Sequence, residues 1–252
     1  MNLQALRAVA VLALCCPLTA LAGQRVDVEI LDRATGRVLP VYWHEGERHV
    51  TGEPGHEYEI RIRNRGHGRV LAVTSVDGIN VITGRTASPD QSGYVVEPHG
   101  RLEIDGWRKS MDEVAAFYFT ALPDSYAAHT GRPDNVGVIG VALFREQVHY
   151  PAVLGRESAA MPEAAPAAEQ KSADASGRYR DEERLGTGHG QRLDSGATYT
   201  QFERASVDPE EIIRIYYDSR RNLVTRGVIP RPHYRFARRV PDPFPQGFVP
   251  DP

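Results

Sequence analysis

Gly137-Val-Ile-Gly-Val-Ala-Leu-Phe144 is apolar on both faces, with none of the polar alternation of a strand that has one side in water. A strand of this kind needs cover above and below, so the stretch predicts a central strand and, with it, a second layer. Upstream, over Gln24 to Tyr150, apolar residues recur at period two: Val26, Val28 and Ile30; Tyr58, Ile60 and Ile62; Leu102 and Ile104; Phe117 and Phe119. Alternation of that kind marks half-buried strands. Turn signals stand between them, among them Thr35-Gly36, Glu53-Pro54-Gly55, Asp77-Gly78, Ser88-Pro89-Asp90 and Pro133-Asp134-Asn135, and no amphipathic helix intervenes. The expected fold is mainly β, an antiparallel β-sandwich of roughly eight to ten strands over residues 24–150.

Downstream the composition changes. From Gly155 to Arg184 there is no Val, Ile, Leu, Phe or Trp. Such a stretch buries too little apolar area to offset the entropy of ordering, which predicts a disordered Ala/Pro/Glu-rich linker over 151–184. Residues 185–252 then read as a small α/β module. Its helix is expected over about 209–225, with Asp208 as N-cap, Pro209 at the first helical position, Glu210 and Glu211 in the first turn, and Gly227 as the stop. A strand is expected around Phe202. Seven prolines in the last 23 residues, interleaved with Tyr234, Phe236, Phe244 and Phe248, make an extended Pro-rich tail.

At the other end, Arg7 precedes an apolar run from Ala8 to Leu14, and Ala20-Leu21-Ala22 is a small-residue cleavage site. Residues 1–22 therefore read as a secretory signal peptide, too short in its apolar part to span a bilayer, and a periplasmic or secreted location follows. Both cysteines, Cys15 and Cys16, fall inside it, so a chain cleaved there has no thiol for disulfides, zinc thiolates or nucleophilic catalysis. Without Arg7 the charged residues count 29 basic against 33 acidic, a balance that does not suggest nucleic acid as a partner.

Motifs with chemistry are sparse. His44-Glu-Gly-Glu-Arg-His49 resembles a zinc-protease signature but spaces its histidines five apart, where the helical motif needs four. No metal or other cofactor is predicted. His44, His49 and His56, with nearby glutamates, remain weak candidates for a hairpin-borne metal site, beside the plainer reading of solvated hairpin residues. Gly186-Thr-Gly-His-Gly190 lacks the strand before and helix after that a phosphate cradle requires, and reads as a flexible loop. His189, Asp194 and Ser195 lack a nucleophile elbow, so no catalytic residue is assigned. Two clusters suit binding. Arg63 and Arg65, with Arg61, His67 and Arg69, flank the Gly66-His-Gly68 turn, where guanidinium groups can hold an anionic group or simply keep a sheet edge solvated. Trp107, Arg108 and Lys109, followed in later loops by Arg132, Asp134 and Asn135, have the composition of a recognition surface; alternatively Trp107 plugs one end of the sandwich.

Val76-Asp-Gly-Ile-Asn-Val-Ile-Thr-Gly84, Ser88-Pro-Asp-Gln-Ser-Gly-Tyr94, Gly106-Trp-Arg-Lys-Ser110, Pro123-Asp-Ser-Tyr126 and Gly131-Arg-Pro-Asp-Asn-Val-Gly137 resemble uncharacterised secreted proteins of proteobacteria. The resemblance extends to Leu185-Gly-Thr-Gly-His-Gly190 and Tyr217-Asp-Ser219. It implies a bacterial envelope setting and brings no catalytic or binding residues. Two functions remain open. One is a non-catalytic, periplasmic or secreted protein-interaction module with an envelope partner. The other is a metal-binding or carbohydrate-directed envelope enzyme or binder. Oligomeric state is not set by these features.

Overall fold

The computed structural model describes residues 25–148 and 184–231. The expected signal peptide lies outside the described residues, as do nearly all of the expected linker and Pro-rich tail.

The protein is mainly β, with two seven-stranded sheets. In chain order the strands are β1 (Val26–Asp32), β2 (Arg37–Val38), β3 (Tyr42–His44), β4 (Glu47–Gly52), β5 (Glu57–Asn64), β6 (Val70–Val76) and β7 (Ile79–Asn80). They continue as β8 (Tyr94–Val96), β9 (Arg101–Ile104), β10 (Gly106–Arg108), β11 (Glu113–Ala121), β12 (Val138–Arg145), β13 (Leu185–Asp194) and β14 (Glu211–Ser219). Short helices α1 (Tyr126–His129) and α2 (Arg220–Thr225) complete the set. The first sheet runs β10-β11-β5-β1-β2, with β13 added on β11 and β9 on β5; the second runs β3-β4-β14-β12-β6-β7, with β8 added on β6. Every pairing is antiparallel except that of β14 with β4.

The period-two residues named above as strand interiors face one shared core. Val28 and Ile30, Tyr58, Ile60 and Ile62, Phe117 and Phe119 from the first sheet meet Ala72, Val76, Ile139, Val141, Leu143, Ile213, Ile215 and Tyr217 from the second. The stretch that predicted a second layer is β12, between β6 and β14. Its inward residues are Ile139, Val141 and Leu143. Outward, Ala142 and Phe144 pack with Leu71, Val73, Val95 and Phe202. Residues 199–207 cross that outer face, where the Arg204 guanidinium lies 4.1 Å from the Phe144 ring centroid and donates to the carbonyls of Pro89 and Gln91. Both faces are covered, as the sequence required.

Three expectations about residues 185–231 are corrected. Instead of a separate module, they supply β13 to one sheet and β14 to the other. The helix expected over about 209–225 is a strand through Ser219, with helix only over Arg220–Thr225. Ile213, Ile215 and Tyr217 point inward at period two and are buried, while Ile212 is 39% exposed and Arg214 is in water. The dense β-branched and aromatic run, together with the free central position between β4 and β12, outweighs the helix-start signals at 208–211. Ser219 caps the short helix, its Oγ accepting from Asn222 N at 3.2 Å, and Gly227, with φ of 79°, ends it as expected. The strand expected around Phe202 is reduced to a single bridge between Arg204 and Glu146.

The sheets are tied together by a buried polar chain. Asp77 occupies the β6–β7 turn with φ of 52°, a left-handed conformation that Asp tolerates better than most residues. Its Oδ1 accepts from Tyr217 OH at 2.5 Å and from Gly137 N at 2.9 Å; its Oδ2 accepts from Thr187 N at 2.8 Å. Thr187 Oγ1 is 2.7 Å from Tyr217 OH and 2.7 Å from Tyr58 OH, so β13, β14 and β5 are all linked to one carboxylate. Burial pushes the Asp77 carboxyl up to about 6, against 3.8 ordinarily, although the hydrogen bonds it accepts pull the other way. The folded state thus holds the proton more tightly than the unfolded chain. This stabilising contribution is fully present below pH 4 and is lost as the pH rises toward 6, a change of about 3 kcal/mol at most. Urea titrations of wild type and Asp77→Asn between pH 4 and 7 should show this slope in the wild type and its loss in the variant.

Candidate functional site

The residues singled out in the sequence do not form one site. Trp107 is buried, its Nε1 donating to Gly188 O at 3.1 Å and its ring edge-on to Phe117, so it plugs the sandwich and presents no recognition surface. Arg108 is a brace. Its Nε donates to Tyr94 OH at 3.0 Å and its guanidinium holds the Ser195 carbonyl, fastening the chain after β13 to β8. Arg132 ties its loop to the neighbouring one through Gly84 O at 3.1 Å. Lys109, Asp134 and Asn135 are exposed, and Asn135 packs on Gly78.

The hairpin histidines do not converge. Glu45 and Gly46, both at positive φ, form the tight turn between β3 and β4. His44 and His49 flank that turn in the second sheet, whereas His56 Nδ1 lies 2.9 Å from Asp32 in the first. Among the described residues no group of three His, Cys, Asp or Glu is placed to hold a metal ion. The glycines of Gly186-Thr-Gly-His-Gly190 belong to β13, not to a loop. A Cβ at Gly188 would lie 2.1 Å from the Tyr118 ring, so that glycine makes room for Tyr118. His189 and Asp194 lie five positions apart along β13, and Ser195 Oγ contacts Arg108.

Arg63 and Arg65 lie on the outer face of the first sheet. Arg65 pairs with Asp27; Arg63 stands opposite both Asp27 and Arg101 in register. With Glu29, Arg61 and Glu103 they line a shallow groove of about 270 Å³ in which both signs of charge alternate. That arrangement is a cross-strand charge ladder more than an anion cradle.

Arg65 also borders a larger feature. Where β1 and β5 of one sheet end near β6 and β12 of the other, a cleft of about 890 Å³ opens, within the range that binds ligands and peptide segments. Val26, Val70, Leu143, Phe144 and Val148 give it apolar walls, and Arg25, Arg65, Arg69 and Arg145, with His67 beside them, give it a rim rich in guanidinium groups. The rim is largely neutralised from within: Arg65 pairs with Asp27, Arg69 with Glu146 and Arg145 with Glu210. Arg25 has no carboxylate partner among the described residues, and His67 contacts His99 at 3.2 Å. The turn Asn64–Arg69, which carries three of these five rim residues, is shaped by Asn64, which is buried. Its Oδ1 accepts from Gly66 N at 2.8 Å and its Nδ2 donates to Gly68 O at 2.8 Å. The sequence pointed to these arginines but not to the apolar walls, because the walls come from strand ends far apart in the chain.

Trp43 was missed as well. It is 63% exposed on edge strand β3, with the Arg48 guanidinium 5.2 Å from its ring centroid and Val38 and Val41 also in water. The available signal was the turn dipeptide Glu45-Gly46, which places Trp43 beside the tip of a hairpin.

No helix among the described residues is long and apolar enough to cross a membrane. No protein-family model, curated protein or solved structure matches the chain.

Proposed function

We propose that this protein is a non-catalytic interaction module of a bacterial cell envelope, working in the periplasm or outside the cell, and that it grips an apolar segment of a protein partner in the end cleft. The observation that carries this is the cleft itself, with apolar walls, a volume of about 890 Å³ and a rim whose charges are mostly paired. Paired rim charges contribute little net attraction, so affinity comes from apolar contact and hydrogen bonding at the walls, with Arg25, which has no carboxylate partner among the described residues, placed to meet a carboxylate of the partner. Val148 is 65% exposed at the cleft, so changing it leaves the core untouched. Crosslinking in the cells that make the protein, followed by affinity recovery, should yield one abundant partner. Val148→Asp and Arg25→Glu should each reduce its recovery about tenfold, equivalent to about 1.4 kcal/mol, without altering urea unfolding. Equal recovery with both variants, or no partner above background, contradicts the proposal.

A second reading rests on Trp43. An exposed indole beside an arginine and two exposed glutamates, Glu45 and Glu47, suits stacking on a sugar ring. Saturable quenching of Trp43 emission by envelope oligosaccharides, absent in Trp43→Phe, would favour it over the cleft.

A further inference from the structure

His49 is 1% exposed, yet among the described residues Nδ1 finds no hydrogen-bond partner, and Nε2 is 3.9 Å from the Glu47 carboxylate. Its ring stacks on Tyr216 of β14 at 5.5 Å and meets His44 of β3 edge-on at 6.3 Å. On this face α2 and the two residues after Gly227 fold back over the sheet: Leu223, Val228 and Ile229 form a small cluster with Tyr42 and Val224, separate from the main core. The turn is closed by Arg226 N on Asn222 O and by Val228 N and Ile229 N on Leu223 O. Asp218 anchors its start, accepting from Asn222 Nδ2 at 2.8 Å, with Arg226 3.8 Å from its other oxygen.

We propose that Arg220–Ile229 is a latch that stays closed while His49 is neutral and opens when His49 takes up a proton, baring the Tyr42 and Tyr216 side of the sheet edge. A protonated imidazole here would be a buried cation with no acceptor for Nδ1, facing the positive Arg226 from the latch and His44 from β3, against which Glu47 on its own strand offers one distant carboxylate. Glu211, Arg214 and Asp218 are the charged groups on β14. Burial, together with Arg226, holds the His49 ring below its ordinary 6.5. Because the unfolded chain takes up the proton first, the closed latch is fully stabilised above pH 6.5 and loses that stability as the pH falls through the lower folded value. Among the described residues the cluster that opposes opening contains three buried side chains, so it can be released without unfolding the sandwich.

Hydrogen exchange on the full chain at pH 7.5 and pH 5, corrected for intrinsic rates, tests this. In the wild type the amides of Arg226, Val228 and Ile229 should open at least tenfold more at pH 5, with β11 and β12 unchanged. His49→Phe, which keeps a ring between Tyr42 and Tyr216 but cannot be protonated, should remove the difference. Acid opening that persists in His49→Phe would place the switch on another group and overturn the proposal; the Asp218 carboxyl, raised by burial, holds its proton more tightly in the closed state and so opposes acid opening. A wild type with no acid opening would overturn it as well. If His49→Phe does not fold, proton NMR of the wild type decides: the His49 ring and the Leu223 and Val228 methyls share one titration midpoint, or the proposal fails.

Discussion

Asp77→Ala will destabilise the protein by about 4 kcal/mol, as much as truncating a buried aromatic side chain in a core. Three donors converge on this carboxylate: Gly137 N, Thr187 N and Tyr217 OH. Truncation leaves the two amides without an acceptor in a buried site, each costing about 1–3 kcal/mol, and places alanine at positive φ for roughly 1 kcal/mol more. Tyr217 recovers part of this by donating to Thr187 instead. Equilibrium urea unfolding checks the magnitude. Because wild-type Asp77 gains stability from its proton at low pH and alanine does not, the difference between the two proteins should widen from pH 7 to pH 4. A difference that narrows would mean that the buried carboxylate is better stabilised as an anion than its surroundings indicate.

Gly106→Ala should cost about 3 kcal/mol, and Gly188→Ala about 1 kcal/mol, although the two look alike by distance. At Gly106 a Cβ would lie 2.0 Å from the carbonyl oxygen of Ala115, and at Gly188 it would lie 2.1 Å from the Tyr118 ring. The difference is what must move. Ala115 is main chain in the middle of β11, held by β10 on one side and β13 on the other, so the clash opens a ladder next to buried Trp107. Tyr118 is a half-buried side chain that can swing toward solvent. Urea midpoints of the two variants, measured side by side, should separate clearly; equal loss would mean that β10 yields as easily as a side chain.

Much of the architecture was legible because burial leaves a period. Val26 to Ile30, Tyr58 to Ile62 and Phe117 to Phe119 alternate, and Gly137 to Phe144 does not, and together these define strands, faces and a second layer. Residues 208–225 misled for a physical reason. Asp208-Pro209-Glu210-Glu211 is a sound helix start, and on a helix Ile212, Ile213, Tyr216, Leu223 and Val224 share one face. Whether Ile213, Ile215 and Tyr217 form a strand instead depends on the space between β4 and β12, which is set by chain more than 60 residues away. Separation also hid the cleft, whose lining comes from residues 25–26, 64–70, 143–148 and 205–211. Trp107 illustrates the opposite error: its neighbours Arg108 and Lys109 gave it the company of a recognition residue, while its own ring was taken up by Phe117 and Tyr126.

The proposed role of the end cleft is tested most directly by introducing a photo-reactive amino acid at Val148, and in parallel at Trp43, Lys109 and Asp134, in the native cells. All four positions are exposed. Crosslinks to one partner from Val148, with little or none from Lys109 and Asp134, are the predicted result. A partner captured only from Trp43, Lys109 or Asp134, with Val148 silent, would contradict it.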